Sequence, residues 1–229
     1  MLRITKIVAV LSLLSASPCF SGLYLGAGFG PEGASFSQKS HVERIGTFNV
    51  EDVQHFAGSG VFGTLFAGYG WIINRLYLAA EANANISSVK YKLTNEEFIH
   101  GTFSKTTFTV KNSEGISILP GFFLSPGTLL YGRAGYANGR IKINESDPTI
   151  RSSSNNRDGF RYGFGLRHNF TPRWTFMMDY SQIHYKEIRS RVFEPMGAVL
   201  KNTRIIPNTA QVAFGIIFNF DVPAKVYVK

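Results

Sequence analysis

The chain has 229 residues, with 24 basic against 15 acidic side chains (formal charge +9), 23 glycines, 20 phenylalanines and a single cysteine. That length holds one domain, and one cysteine excludes a disulfide framework. The basic balance favours anionic lipid, lipopolysaccharide phosphates or acidic glycans as partners; the basic residues form no single stripe, so nucleic acid is not expected.

Arg3 and Lys6 precede an apolar run, 7–14, which leads to small residues around Ser21 and Gly22. This predicts a secretory signal peptide over 1–21, cleaved near Ser21 and too short to span a bilayer as a helix. Cleavage removes Cys19, Arg3 and Lys6; 24 bases less those two leave 22 against 15 acids, or +7. A lipoprotein leader would also place Cys19 at a cleavage site, but Pro18 fits that poorly. Without Cys19 the mature chain has no thiol chemistry. Beyond Ser21 no apolar run approaches the roughly 20 residues of a helical span, and the mean hydropathy is −0.01. An exported chain that enters lipid without such a helix must use strands closed into a ring, because only closure pairs every backbone group.

The first predicted strand is 23–30: Leu23, Leu25, Ala27 and Phe29 face one way, and Tyr24, Gly26, Gly28 and Gly30 the other. Such a period of two marks a strand between two environments. The second, 60–70, turns Val61, Leu65, Ala67 and Tyr69 outward, and residues 71–74 turn the chain. In the third, 75–91, Leu76, Leu78, Ala80, Ala82, Ala84 and Ile86 alternate with Tyr77, Ala79, Glu81, Asn83 and Asn85. The fourth, 107–123, changes face partway, which predicts a bulge near Gly115; Ser125-Pro126-Gly127 is a tight turn. The fifth, 128–143, has Leu130, Ala134 and Tyr136 outward and Arg133 inward. The sixth, 159–169, alternates Phe160, Tyr162, Phe164 and Leu166 with Arg161, Gly163, Gly165 and Arg167. The seventh starts at Trp174 and alternates Trp174, Phe176, Met178 and Tyr180 with Thr175, Met177, Asp179 and Ser181. In the last, 211–220, Val212, Phe214, Ile216, Phe218 and Phe220 oppose Gln211, Ala213, Gly215 and Asn219, interrupted by Ile217.

Short turns therefore follow the second, fourth and sixth strands, and long loops (37–57, 92–106, 144–158, 186–208) follow the others. That asymmetry predicts an all-β, eight-stranded antiparallel transmembrane barrel over 22–220, with short periplasmic turns, long extracellular loops and a tail, 221–229. Tyr69, Trp71, Tyr131, Phe170 and Trp174 are expected to form an aromatic girdle at the short-turn end. The third, fourth and seventh strands exceed the roughly 9–11 residues needed to cross and are expected to project beyond the bilayer. The third loop, with Ser152-Ser153-Ser154-Asn155-Asn156, is expected to be disordered at its tip.

The run Gly159-Phe160-Arg161-Tyr162-Gly163-Phe164-Gly165-Leu166-Arg167, then Phe170-Thr171-Pro172-Arg173-Trp174 and Asp179-Tyr180, resembles the opacity-type barrels, which are related to the membrane domain of outer-membrane protein A. Leu23–Gly30 and Phe66-Ala67-Gly68-Tyr69-Gly70 are similar to that group too. The resemblance covers essentially the mature chain and implies eight strands, variable surface loops on a Gram-negative cell, and roles in adhesion, surface protection or envelope integrity. Gly215, Phe218 and Phe220 resemble the terminal-strand signal read by the barrel-assembly machinery, although here the chain continues through Asp221–Lys229.

Parity places Glu81, Arg133, Arg161, Arg167 and Asp179 inside, beside Asn83, Asn85, Ser181, Gln211 and Asn219. An eight-stranded barrel is only wide enough for side chains to fill it, so these residues are expected to pair as an ionic plug. The alternative is a narrow gated pore in which Glu81 and Asp179 exchange arginine partners. A lipid A-modifying enzyme is the third reading. Its obvious serine and histidine, Ser181 and His184 (with Glu187 nearby), have opposite parity and cannot pair as nucleophile and base. No catalytic residue, metal site or cofactor is predicted, and the five histidines lack metal-ligand spacing. The fourth loop is the most basic: Lys186, Arg189, Arg191, Lys201 and Arg204 could clamp phosphates or acidic glycans of a host or surface ligand, or simply be solvated.

Overall fold

Alternating large apolar and small or polar residues drive the chain into one continuous antiparallel sheet. The computed structural model describes residues 20–44, 47–99, 102–145, 153–194 and 199–221; nearly all of the expected signal peptide and the tail beyond Asp221 lie outside them. The strands are β1 (Phe20–Arg44), β2 (Phe48–Ile73), β3 (Leu76–Ser87), β4 (Lys90–Ile99), β5 (Thr102–Ser125), β6 (Thr128–Glu145), β7 (Ser153–Asn169), β8 (Trp174–Tyr185), β9 (Ile188–Glu194) and β10 (Val199–Asn219). The ring runs β1-β2-β3-β5-β6-β7-β8-β10 and closes where β10 pairs with β1. It is an eight-stranded barrel, because β4 and β9 continue β3 and β8 past breaks at Ser88-Val89 and Lys186-Glu187. Among the described residues no helix is long and apolar enough to cross a membrane.

The outer wall of the lower barrel is apolar and exposed, with Leu25, Phe29, Leu65, Ile86, Ile116, Phe164 and Ile216 at its surface. In water such a wall would be a large adhesive patch; against hydrocarbon it is the required surface. Ile217, which interrupted the small inward series of the last strand, is buried inside against Met177 and its neighbours. The girdle needs one correction. Tyr69 and Trp71 meet edge to face at 5.1 Å, as do Trp174 and Phe218, and Phe170 is exposed. Tyr131, however, points into the lumen, because it shares the parity of Arg133 rather than that of Leu130.

The long loops differ most from expectation. Residues 37–44 and 48–57 are strand rather than irregular loop: β1 and β2 stay in register from Phe20↔Ile72 to Arg44↔Phe48. Ser153–Asn156 are likewise strand, paired to Ile143–Arg140, while Ser152 lies outside the described residues. The turn after β2 is tighter than expected: Ile73 still pairs with Leu76, and Asn74 adopts the left-handed φ of 56° that asparagine tolerates. The bulge in β5 falls just before Gly115, where the register shifts between Val110 and Ser113.

Above the apolar band the polarity of the wall reverses at most described positions, Val53 and Ile206 excepted. Lys39, Glu43, Arg140 and Arg204 now face out, while Phe36, Phe56, Val110, Ile141, Ile183, Ile188 and Ile205 face in and form one core cluster. The wall is wet outside and oily inside, as in a soluble β protein, so the strands remain strands. Closure is not kept. Above Phe62↔Ser87, β2 pairs only with β1, and β4 pairs only with β5. Above Gly159↔Tyr185, β7 pairs only with β6, and β9 pairs only with β10. The barrel thus opens into two four-stranded sheets, β9-β10-β1-β2 and β4-β5-β6-β7, with the apolar cluster between them. Each seam is fastened at its base, by Ser88 N–H to Val61 O (3.0 Å) on one side and Lys186 N–H to Asp158 O (2.7 Å) on the other.

Phe36 sits fully buried in this upper core, with Phe56 stacked 5.9 Å away. Phe36→Ala should lower stability by about 3–5 kcal/mol, measured as a reduced urea midpoint of the folded band on heat-modifiable gels. A change under about 1 kcal/mol would show that the upper sheets do not pack as a core.

Candidate functional site

The lower lumen gathers charge from four strands. Glu81 of β3 receives Arg133 of β6 on one oxygen (Nη2 to Oε1, 2.8 Å) and Arg167 of β7 on the other (Nη2 to Oε2, 2.6 Å). Arg133 also reaches Asp179 of β8, with Nη2 and Nε each 3.1 Å from Oδ2. Tyr24 donates to Glu81 at 2.9 Å, Tyr131 donates to Asp179 at 2.7 Å, and Arg167 donates to the hydroxyl of Tyr77 at 3.1 Å. The Arg167 guanidinium lies 4.7 Å from the ring of Tyr24 and 4.9 Å from that of Tyr131. Such stacking suits arginine's planar, weakly hydrated head. Glycines across the wall make room for these rings: a Cβ at Gly68 would stand 2.3 Å from the Tyr24 hydroxyl, and one at Gly165 2.4 Å from that of Tyr131.

Arg161 does not join this cluster. It donates to Ser181 at 3.0 Å and to Gln211 at 3.4 Å, and Gln211 donates to Glu32 at 2.8 Å. Glu32 is the residue that sequence reasoning missed. It continues the inward parity of Tyr24, Gly26, Gly28 and Gly30, but lies past the point where the first strand was expected to end. With it, the buried charges among the described residues number three carboxylates (Glu32, Glu81, Asp179) and three arginines (Arg133, Arg161, Arg167), a neutral set. Neutrality matters because an unbalanced charge in so enclosed a space would be strongly destabilising. Asn83, Asn85 and Ser113 form a separate chain with links of 3.1 and 3.0 Å.

Ser181 is buried and occupied by Arg161, whereas His184 is exposed on the outer wall, stacked on Tyr162 at 5.4 Å and bonded to its hydroxyl at 2.9 Å. The two lie on opposite faces. His168 is also outward, 3.0 Å from the Thr128 hydroxyl.

On the basic arm, Glu187 pairs with both Arg189 and Arg204 (3.0 Å to the latter), and Lys186 stands 3.5 Å from Asp158. All three bases are exposed, where such pairs contribute little. Arg191 and Lys201 are placed by backbone register alone, opposite Asn202 and Val192. Asp158 gathers Tyr136, Asn138 and Lys186 at the boundary between apolar band and polar wall.

The sequence model of the outer membrane protein beta-barrel domain matches residues 7–218, and the chain belongs to that family of bacterial outer-membrane barrels. Solved structures with a similar fold include the attachment invasion locus protein Ail of Yersinia pestis (16% identity, 87% of this chain and 99% of that one, TM-score 0.41), crystallised with the heparin analogue sucrose octasulfate. Neisserial surface protein A is similar at 16% identity (88% and 99%, TM-score 0.43). A major outer membrane protein from Thermus thermophilus is similar at 13% identity (82% and 99%, TM-score 0.50). No curated protein sequence matches the chain significantly.

Glu81→Gln strips two arginines of their shared carboxylate and should cost about 3–5 kcal/mol. Glu32 and Arg161 act through Gln211, so Glu32→Gln with Arg161→Met should destabilise less than the two single changes summed. A double-mutant cycle of urea midpoints measures this, and strict additivity would show that Gln211 carries no coupling between them.

Proposed function

We propose that this barrel is a non-conducting, non-catalytic scaffold that displays stiff β-hairpin arms on a Gram-negative cell in an adhesin-like or structural role. In this reading it is exported by its signal peptide and inserted by the barrel-assembly machinery. The observation that carries the proposal is double closure of the lumen: the ionic cluster around Glu81 fills the lower half, and the Phe36–Ile183–Ile205 cluster fills the upper half. A pore would need a continuous wet path, and an apolar constriction above a paired ionic layer opposes one twice. The same walls support rigid display, because side chains packed through the arms hold their outer surfaces in place.

The arm carrying Lys186, Arg189, Arg191, Lys201 and Arg204 is the proposed contact for anionic groups, either lipopolysaccharide phosphates or acidic glycans. Wild-type protein refolded into planar bilayers should be silent, with folding confirmed by heat-modifiable migration. Vesicles containing lipopolysaccharide should be bound several-fold more weakly by a Lys186→Gln, Arg189→Gln, Arg204→Gln variant than by wild type. Discrete openings altered by Glu81→Gln would replace the scaffold reading with the gated pore. Binding insensitive to the arm charges and to salt would remove the anionic-ligand reading alone.

A further inference from the structure

Among the described residues, the two seams of the upper barrel leave the seam-facing sides of β2, β4, β7 and β9 with no strand pairing, in water just above the bilayer. Unpaired edges are templates for pairing with another chain, and proteins usually blunt or cover them. Here they are arranged in a particular way. One seam lies between β2 and β4, the other between β7 and β9, and in the eight-strand ring they are four strands apart, on opposite sides. β2 and β7 run toward the short-turn end, whereas β4 and β9 run away from it. A second copy shifted sideways along the line joining the seams would bring β9 against β2 and β7 against β4, both antiparallel. Each sheet of one copy would then continue into the corresponding sheet of the next.

Charge favours the β2–β9 half of that meeting. β2 carries Glu51 and Asp52, both exposed, and no lysine or arginine. At the other seam β9 presents Arg189, and Arg204 lies opposite it on β10; the two share the single carboxylate of Glu187, which leaves that edge with a net positive charge. Like edges would repel, whereas unlike edges attract. Shape in the membrane agrees as well. Below the β2–β4 seam the outer wall is hollowed into a groove of about 550 Å³ lined by Leu25, Leu65, Ala67, Ala82, Ala84 and Ile116. Below the β7–β9 seam the wall presents the exposed side chains of Phe160, Phe164, Phe176 and Met178. Large side chains of one barrel entering the groove of the next would let the two approach closely enough for the edges above to meet.

We propose that copies of this chain associate head to tail in the plane of the membrane, the β7/β9 edge of one against the β2/β4 edge of the next. The contact is heterologous, so nothing limits it to a pair, and it generates rows. It draws on Arg189 and Arg204, which the anionic-ligand reading also uses, so a neighbouring copy and an anionic ligand would compete for that arm. The cross-linking test reads the former without any ligand present.

Cysteine placement separates this contact from its alternatives. In a Cys19→Ser background reconstituted in lipid vesicles, Gln54→Cys and Ser190→Cys are introduced singly and together, and a short bis-maleimide is added. The double variant should give a ladder of dimers, trimers and higher species. Each single variant should stay monomeric, and an equimolar mixture of the two should stop at dimers. Glu51→Lys with Asp52→Lys should abolish the ladder, and adding Arg189→Glu with Arg204→Glu should restore it, which a folding defect would not do. Dimers from either single variant alone would indicate a two-fold contact and overturn the proposal. So would a double variant that remains monomeric while its heat-modifiable migration shows it folded.

Discussion

Everything in this molecule follows from the need to give each backbone N–H and C=O a partner wherever hydrocarbon excludes water. Inside the apolar band the constraint is absolute, and the eight strands close without a gap from β1 through β10. Once the strands rise into water it lapses, since water can serve an unpaired edge. The ring parts at that level, at two breaks on opposite sides, and the chain changes from a barrel to a pair of facing sheets. One sequence thus satisfies two solvents by the same alternation of side chains with its sense reversed.

The reversal explains how the interior is filled. In lipid the outer wall must be apolar, so polar and ionic residues can be kept only inside, where they must neutralise one another. Three carboxylates and three arginines do so, helped by tyrosine hydroxyls and by glycines that admit the rings. In water the outer wall takes the charge and the interior takes the phenylalanines and isoleucines. A group on the wrong side of the crossover would be unsatisfied in either direction. The proposed display role rests on this arrangement, because the arms are extensions of a packed wall.

Much of this was legible in the sequence. The eight crossings, the short turns and the inward parity of Glu81, Arg133, Arg161, Arg167 and Asp179 follow from a period of two read against lipid. What was lost was lost at the crossover. The outward series Leu23, Leu25, Ala27, Phe29 stops before Gly30 and Pro31 follows, so the lipid-facing pattern itself ends there. Beyond it the apolar residues reappear at the inward positions Ala34 and Phe36, a change of phase that reads as loss of pattern if the oily face is assumed constant. Glu32 fell in that gap and was missed with it. Ser153–Asn156 are hidden for another reason: their polar composition is that of a disordered loop, and the partner strand Arg140–Ile143 supplies the order. The seams between the sheets were out of reach, since which strand leaves which neighbour is decided by pairing across the ring.

The meeting of β10 with β1 has a further consequence for how the chain reaches this state. Every other strand in the ring finds its neighbour nearby along the chain, but Tyr24 must find Asn219, and the same register continues without slipping up to Arg44↔Val199. Closing so long a loop is the slowest kind of contact formation, because chain entropy opposes it until many pairs have formed. The β1–β10 pairing extends well above the bilayer, so some of those pairs can form in water before the lipid-facing half shuts. The arms can then serve as the guide rails of assembly, bringing the two ends of the sheet into register while the barrel is still open.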